Sequence, residues 1–159
     1  MNKFLVLALS WYAQDLLQIF MTQTWLAPEI YVIALVRCAT RRGEENSLRW
    51  IAAAVAGGLL MDVRWIGVPG FCGALYTAAL FTARGLWFQI PAANRRMLPF
   101  TVITGGLCML LTPFRLSLWE RSVIAGRIFS VVSLQWLLTA AVLILFALTR
   151  FRGYDDEDL

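Results

Sequence analysis

LRWIAAAVAGGLLMDVRWIGVPG, residues 48–70, carries the decisive pattern. Between Arg49 and Asp62 it holds no charge, and Ala52, Ala53, Ala54, Ala56, Gly57 and Gly58 crowd its middle. Small residues four apart, as in Ala53/Gly57 and Ala54/Gly58, let helix backbones approach closely in lipid. Gly67, Pro69 and Gly70 then interrupt the run. The pattern predicts a helix over 48–63, started by a cap at Ser47, and a hinge over 62–70.

The whole chain extends this character. Of 159 residues, 60% are hydrophobic and 15% charged, where a soluble domain has about 45–50% and 25%. Mean hydropathy is +0.68. Only lipid removes the need for a charged exterior, so the composition predicts an all-α, polytopic integral membrane protein. Histidine is absent, which excludes a histidine general base or a histidine-ligated metal. Cys38, Cys72 and Cys108 lie far apart in apolar stretches and read as buried thiols without a disulfide frame.

Five further runs complete a predicted six-helix transmembrane bundle. The first, 4–21, is too long for a signal peptide core and is read as a retained span. The second, 27–39, follows Pro28 and rises only about 20 Å, against a hydrocarbon core of about 30 Å. It is expected to be short or tilted, with Arg37 snorkelling. The fourth is expected over 71–86, then an interfacial stretch over 87–97. The fifth is expected over 99–118, kinked near Pro113, and the sixth over 124–149. Residues 1–150 form one domain in this reading. Residues 151–159, with Asp155, Asp156, Glu157 and Asp158, form an acidic tail expected to be disordered.

The 14 cationic residues do not gather on one segment, which excludes nucleic acid as the partner. They sort by topology instead. With both termini cytoplasmic, Lys3, Arg37, Arg41, Arg42, Arg49, Arg84, Arg95, Arg96, Arg150 and Arg152 fall inside, and Arg64, Arg115, Arg121 and Arg127 outside. The bias agrees with the positive-inside rule. Trp25, Trp50, Trp65, Trp87 and Trp119 fall near predicted span ends, as an aromatic belt would place them. Of the outer charges, Arg115, Glu120, Arg121 and Arg127 form either a docking surface for an extracytoplasmic partner or, as favoured here, a solvated loop.

Few residues are candidates for chemistry. Gln14, Asp15 and Gln18 share one face of the first helix. An acid at that depth costs roughly 2.5–3.5 kcal/mol on insertion scales, so it must face protein or water. The trio is either a polar pocket for a ligand or an interhelical hydrogen-bond cluster. Asp62 is either a buried hinge acid or an interfacial acid near Arg64, a pairing that needs a broken helix. The pairs Arg41–Arg42 and Arg95–Arg96 either set topology or meet anionic lipid or a cytoplasmic acidic partner. No nucleophile–base pair, phosphate loop, zinc spacing or carboxylate pair is present, and neither a catalytic residue nor a cofactor or metal is expected.

The stretch Ala56-Gly57-Gly58-Leu59-Leu60-Met61-Asp62, followed by Gly67 opening the next helix and Tyr76 within it, resembles the MreD family of bacterial rod-shape membrane proteins. The turn Val63-Arg64-Trp65-Ile66 is more compact than is usual there. The resemblance implies a non-enzymatic scaffold of the cell-elongation complex in the bacterial inner membrane. It would bind a single-span MreC-like protein and, through it, the MreB filament, RodA and its transpeptidase. Ala54, Gly57, Gly58, Asp62 and Gly67 would hold the partner or form the hinge, and a bulky residue at Gly58 would sever partner binding while sparing insertion. The small faces also permit a homodimer. MreD-like proteins are similar in layout to the substrate-binding subunits of energy-coupling-factor vitamin transporters, which supplies an alternative with Gln14, Asp15 and Gln18 lining a ligand pocket. Short outer loops speak against it.

Overall fold

The computed structural model describes residues 3–21, 26–41, 47–118 and 128–151. Among the described residues six helices follow one another: α1 Lys3–Phe20, α2 Ile30–Ala39, α3 Ser47–Met61, α4 Phe71–Gln89, α5 Met97–Leu118 and α6 Ile128–Phe151. A π-helical turn, Asp62–Ile66, extends α3, and a 3-10 turn, Ala92–Asn94, precedes α5. Among the described residues there is no strand. Among the described residues two helices are long and apolar enough to cross a membrane, over Met97–Leu116 and Ser130–Thr149. Helices α1, α2 and α3 fall short for visible reasons. Gln14, Asp15 and Gln18 dilute α1, α2 has 10 residues and α3 has 15.

Side-chain contacts set the directions. Phe4 stacks on Trp50, Trp11 Nε1 donates to the Gly57 carbonyl and Asp15 pairs with Arg64, so α1 and α3 run parallel. Tyr31 packs on Tyr76 and Arg84 reaches the Ala39 carbonyl, so α2 and α4 run parallel. Trp87 meets Phe100 edge-on beside the α4–α5 turn. Gln135 and Thr139 meet residues 27–29 while Phe146 lies under Arg37, which aligns α6 with α2. The helices therefore alternate, and α1 begins at the end where α6 finishes.

α2 is the centre. It packs against α1, α3, α4, α5 and α6, and every residue in it except Arg37 is buried. The surrounding helices, and not solvent, therefore meet nearly its whole surface. Arg37 is half-buried over the Phe146 ring, 5.3 Å from its centroid.

Several expectations need correction. Trp50 and Trp87 are buried, packed on Phe4 and Phe100, and are no part of an aromatic belt. α4 runs on to Gln89, past the expected end at 86 and three residues into the expected interfacial stretch. Trp25, Arg42, Trp119, Glu120, Arg121, Arg127, Arg152 and the acidic tail lie outside the described residues, as does the Ser47 side chain.

Candidate functional site: a buried ionic centre and an outer groove

Residues 26–29 enter the bundle as non-helical chain. Leu26, Ala27, Pro28 and Glu29 are all buried. Thr139, which meets Glu29, stands well inside α6, about 16 Å from its first residue at 1.5 Å per residue. Backbone without secondary structure at such depth must find partners within the protein. Here side chains supply them. The Ala27 N–H donates to Gln18 Oε1 at 2.9 Å, and Tyr31 N–H to Gln14 Oε1 at 2.8 Å. Glu29 N–H donates to Thr139 Oγ1 at 3.4 Å, and Gln135 Nε2 donates to the Ala27 carbonyl at 3.4 Å. Two of the three polar residues singled out on α1 thus hold the entry of α2.

Glu29 stands at the N-cap of α2, fully buried, and forms an ion pair with Nη1 of Arg115, itself 1% exposed. Gln14 Nε2 and Gln135 Nε2 each approach the carboxylate at 3.5 Å. The helix ends favour this placement: the N-terminus of α2 attracts the anion, and the C-terminal turn of α5, which carries Arg115, attracts the cation. Arg115 was expected in a solvated outer loop. It is instead at the core, because α5 remains helical past Pro113 and turns this side chain inward toward Glu29.

Asp15 belongs to a second, neighbouring pair. Its Oδ1 takes Arg64 Nε at 2.8 Å and accepts from Trp65 Nε1 at 2.9 Å. The acid is 3% exposed and the arginine 50%. Consecutive residues of an α-helix point about 100° apart, and the wider π turn lets Arg64 and Trp65 address the same carboxylate. Asp62 does not pair with Arg64. Both of its oxygens accept from the Cys72 N–H, at 2.8 and 3.0 Å, capping α4. Gly67 does not open α4. At φ +72° it closes the π turn, its N–H bonding the Asp62 carbonyl at 2.7 Å, and α4 starts at Phe71 after Gly70.

Ala54, Gly57 and Gly58 face inward. A Cβ on Gly57 would meet the Tyr31 ring, and one on Gly58 would overlap the backbone N and Cα of Gly73. The chain's own α2 and α4 therefore occupy the surface these glycines were expected to offer a partner. A bulky residue at Gly58 would part α3 from α4 before it affected any other protein. What the α3–α4 seam does present outward is an apolar groove of about 450 Å³, lined by Val55, Leu59, Gly70, Gly73, Ala74, Thr77, Ala78 and Phe81.

Glu29, Arg115, Gln135 and Thr139 were missed as site residues. A signal existed: Glu29 opens, and Gln135 interrupts, strongly apolar stretches of the chain, and a polar group buried among apolar side chains asks for a partner. Among the described residues no group of three or more possible metal ligands occurs. No protein-family model, curated protein or solved structure matches the chain.

Proposed function

We propose that the chain spans the bacterial inner membrane six times, with both termini cytoplasmic, and acts as a non-enzymatic scaffold of the cell-elongation complex. Its partner in this reading is a single-span MreC-like protein, and through it the MreB filament, RodA and its transpeptidase. The observation that carries the reading is the α3–α4 groove. Its floor is glycine and alanine, its rims are Val55, Leu59 and Phe81, and its lining is almost wholly apolar. In lipid, where hydrophobicity alone drives no association, such a trough favours a transmembrane helix through close packing. The MreD-like residues 56–76 build this same seam.

The test is affinity purification of the tagged chain from native membranes in mild detergent. An MreC-like protein should accompany the wild type and be lost from an Ala74→Leu/Ala78→Leu variant, whose new side chains fill the groove from its exposed face. Undiminished recovery with the variant would refute the groove as the docking site. A second reading, a transporter substrate-binding subunit, is favoured by one feature: a half-depth helix start whose N-terminus faces a buried ion pair, an arrangement used to bind polar solutes. Recovery of an ATPase module with its coupling membrane subunit would select that reading.

A further inference from the structure

Among the described residues, three buried polar atoms around the Glu29–Arg115 pair have no hydrogen-bond partner: Arg115 Nε, Gln135 Oε1 and Tyr76 Oη. Their residues are at most 1% exposed. Buried polar atoms left bare are costly and rare.

The first two are brought together by one oxygen. Arg115 Nη1 pairs with Glu29 Oε1, and Gln135 Nε2 stands 3.5 Å from the same atom. Nε belongs to the same planar guanidinium as Nη1, and Gln135 Oε1 to the same planar amide as Nε2. The amide cannot turn over to satisfy its oxygen. Reversed, that oxygen would face the Ala27 carbonyl at 3.4 Å and Glu29 Oε1 at 3.5 Å, both of them acceptors. Tyr76, on α4, interacts electrostatically with Glu29 and Arg115, and its hydroxyl approaches Gln14 outside bonding geometry. Gln14 Nε2 in turn stands 3.5 Å from Glu29 Oε2.

Spacing points the same way. Around the carboxylate only Arg115 closes in. Gln14 and Gln135 stand at 3.5 Å, and the Glu29 N–H reaches Thr139 Oγ1 at 3.4 Å. The same Gln14 accepts from the Tyr31 N–H at 2.8 Å, and Gln18 from the Ala27 N–H at 2.9 Å. The backbone entering α2 is closely bonded, while the groups facing the carboxylate stand at the limit of bonding. Polar groups held that wide are met by a bridging molecule.

The three atoms specify its chemistry. Arg115 Nε only donates, Gln135 Oε1 only accepts and Tyr76 Oη does either. A cation would be repelled by Arg115, and an anion by Glu29 and the Gln135 carbonyl. A neutral molecule that both donates and accepts suits all three, and full enclosure keeps it small. We propose that the ionic centre binds ordered water, which accepts from Arg115 Nε and donates to Gln135 Oε1 and Tyr76 Oη. Partners of this number and polarity are what a buried water requires.

The test is X-ray radiolytic footprinting of the purified full chain in a nonionic detergent, equilibrated with oxygen-18 water. The pulse turns bound water into hydroxyl radicals, which label the side chains they touch. Tyr76 should gain the heavy oxygen roughly tenfold faster than Phe100, which is equally enclosed but packed edge-on against Trp87. Gln135→Leu should lose most of the Tyr76 label and leave Phe100 unlabelled, the sign that it is folded. Should Phe100 become labelled in that variant, the wild type and Tyr76→Phe decide the matter. Tyr76→Phe gives a test of sign in the unfolding midpoint. Removing a hydroxyl bonded to water lowers the midpoint, whereas removing a bare buried hydroxyl raises it. Tyr76 labelled no faster than Phe100, a label undiminished in folded Gln135→Leu, or a raised midpoint in Tyr76→Phe overturns the proposal. So does a small molecule retained by the wild type in native mass spectrometry, which would put a solute in place of water and favour the transporter reading.

Discussion

Replacing Arg115 by methionine should be among the most damaging single changes in this chain. It preserves length and apolar bulk but leaves Glu29, fully buried, without its counter-charge. Removing one member of a buried pair costs about 3–5 kcal/mol, because the orphaned charge retains its desolvation penalty. Two features of the site offset part of that. Gln14 and Gln135 reach the carboxylate, but at 3.5 Å, the outer limit of a hydrogen bond. The N-terminus of α2 contributes up to about 2 kcal/mol in a buried geometry. A loss of about 3 kcal/mol remains, or roughly a hundredfold in the folding equilibrium. The double variant Glu29→Gln/Arg115→Met removes both charges and keeps the shape, so it should recover at least half of the loss. Reversible unfolding in mixed detergent micelles, run as a double-mutant cycle, reads the coupling directly. A cost below about 1 kcal/mol for Arg115→Met, or a double variant worse than either single one, would refute the ionic centre as a structural pair.

Other consequences can be read in the same assay. Gly58→Ala forces a Cβ onto the Gly73 backbone, which cannot rotate away, and should cost about 1–3 kcal/mol or more. Gly106→Ala, with nothing within 4 Å, should be neutral or stabilising by up to about 1 kcal/mol. Equal effects at the two positions would contradict the α3–α4 contact. Asp62→Ala should cost about 0.5–2 kcal/mol by uncapping α4, seen as faster amide exchange over residues 71–74 than in the wild type. Gln14→Leu leaves the Tyr31 N–H without its acceptor and should cost about 1–3 kcal/mol, with exchange rising at Tyr31 rather than along α1.

The helices were legible in the chain because their evidence is local. Apolar runs, Pro28, the Gly67–Gly70 punctuation and the small residues of α3 each speak for the segment they occupy. Periodicity also placed Gln14 and Gln18 on one buried face, though not what they serve. Their partners are the N–H groups of Ala27 and Tyr31, which matter only because the chain enters at depth before α2 begins. Nothing in residues 26–29 marks them as buried irregular chain. Arg115 was misplaced for a related reason. Proline in the preceding turn and charges in the following segment resemble a loop, and only the distant Glu29 shows that the arginine turns inward. The aromatic-belt reading failed at Trp50 and Trp87 because a tryptophan near a helix end is equally suited to an interface or to a neighbouring aromatic ring.

The buried pairs also change how the charge balance bears on orientation. Counting cations by loop assigns Arg64 and Arg115 to the outer side, where they oppose the positive-inside bias. Yet Arg115 is enclosed with Glu29, and Arg64 is tied to Asp15. Neither presents an unopposed positive charge to the headgroups, so the bias along the proposed topology is steeper than the count implies. The end where α1 begins and α6 finishes, by contrast, keeps Arg41, Arg49 and Arg96 exposed. Orientation should therefore tolerate Arg64→Gln, and no gain in correctly oriented chain should follow from it, because that arginine was already neutralised. A tag-accessibility assay in spheroplasts that found orientation improved by Arg64→Gln would show the Asp15 pair to be open in the membrane.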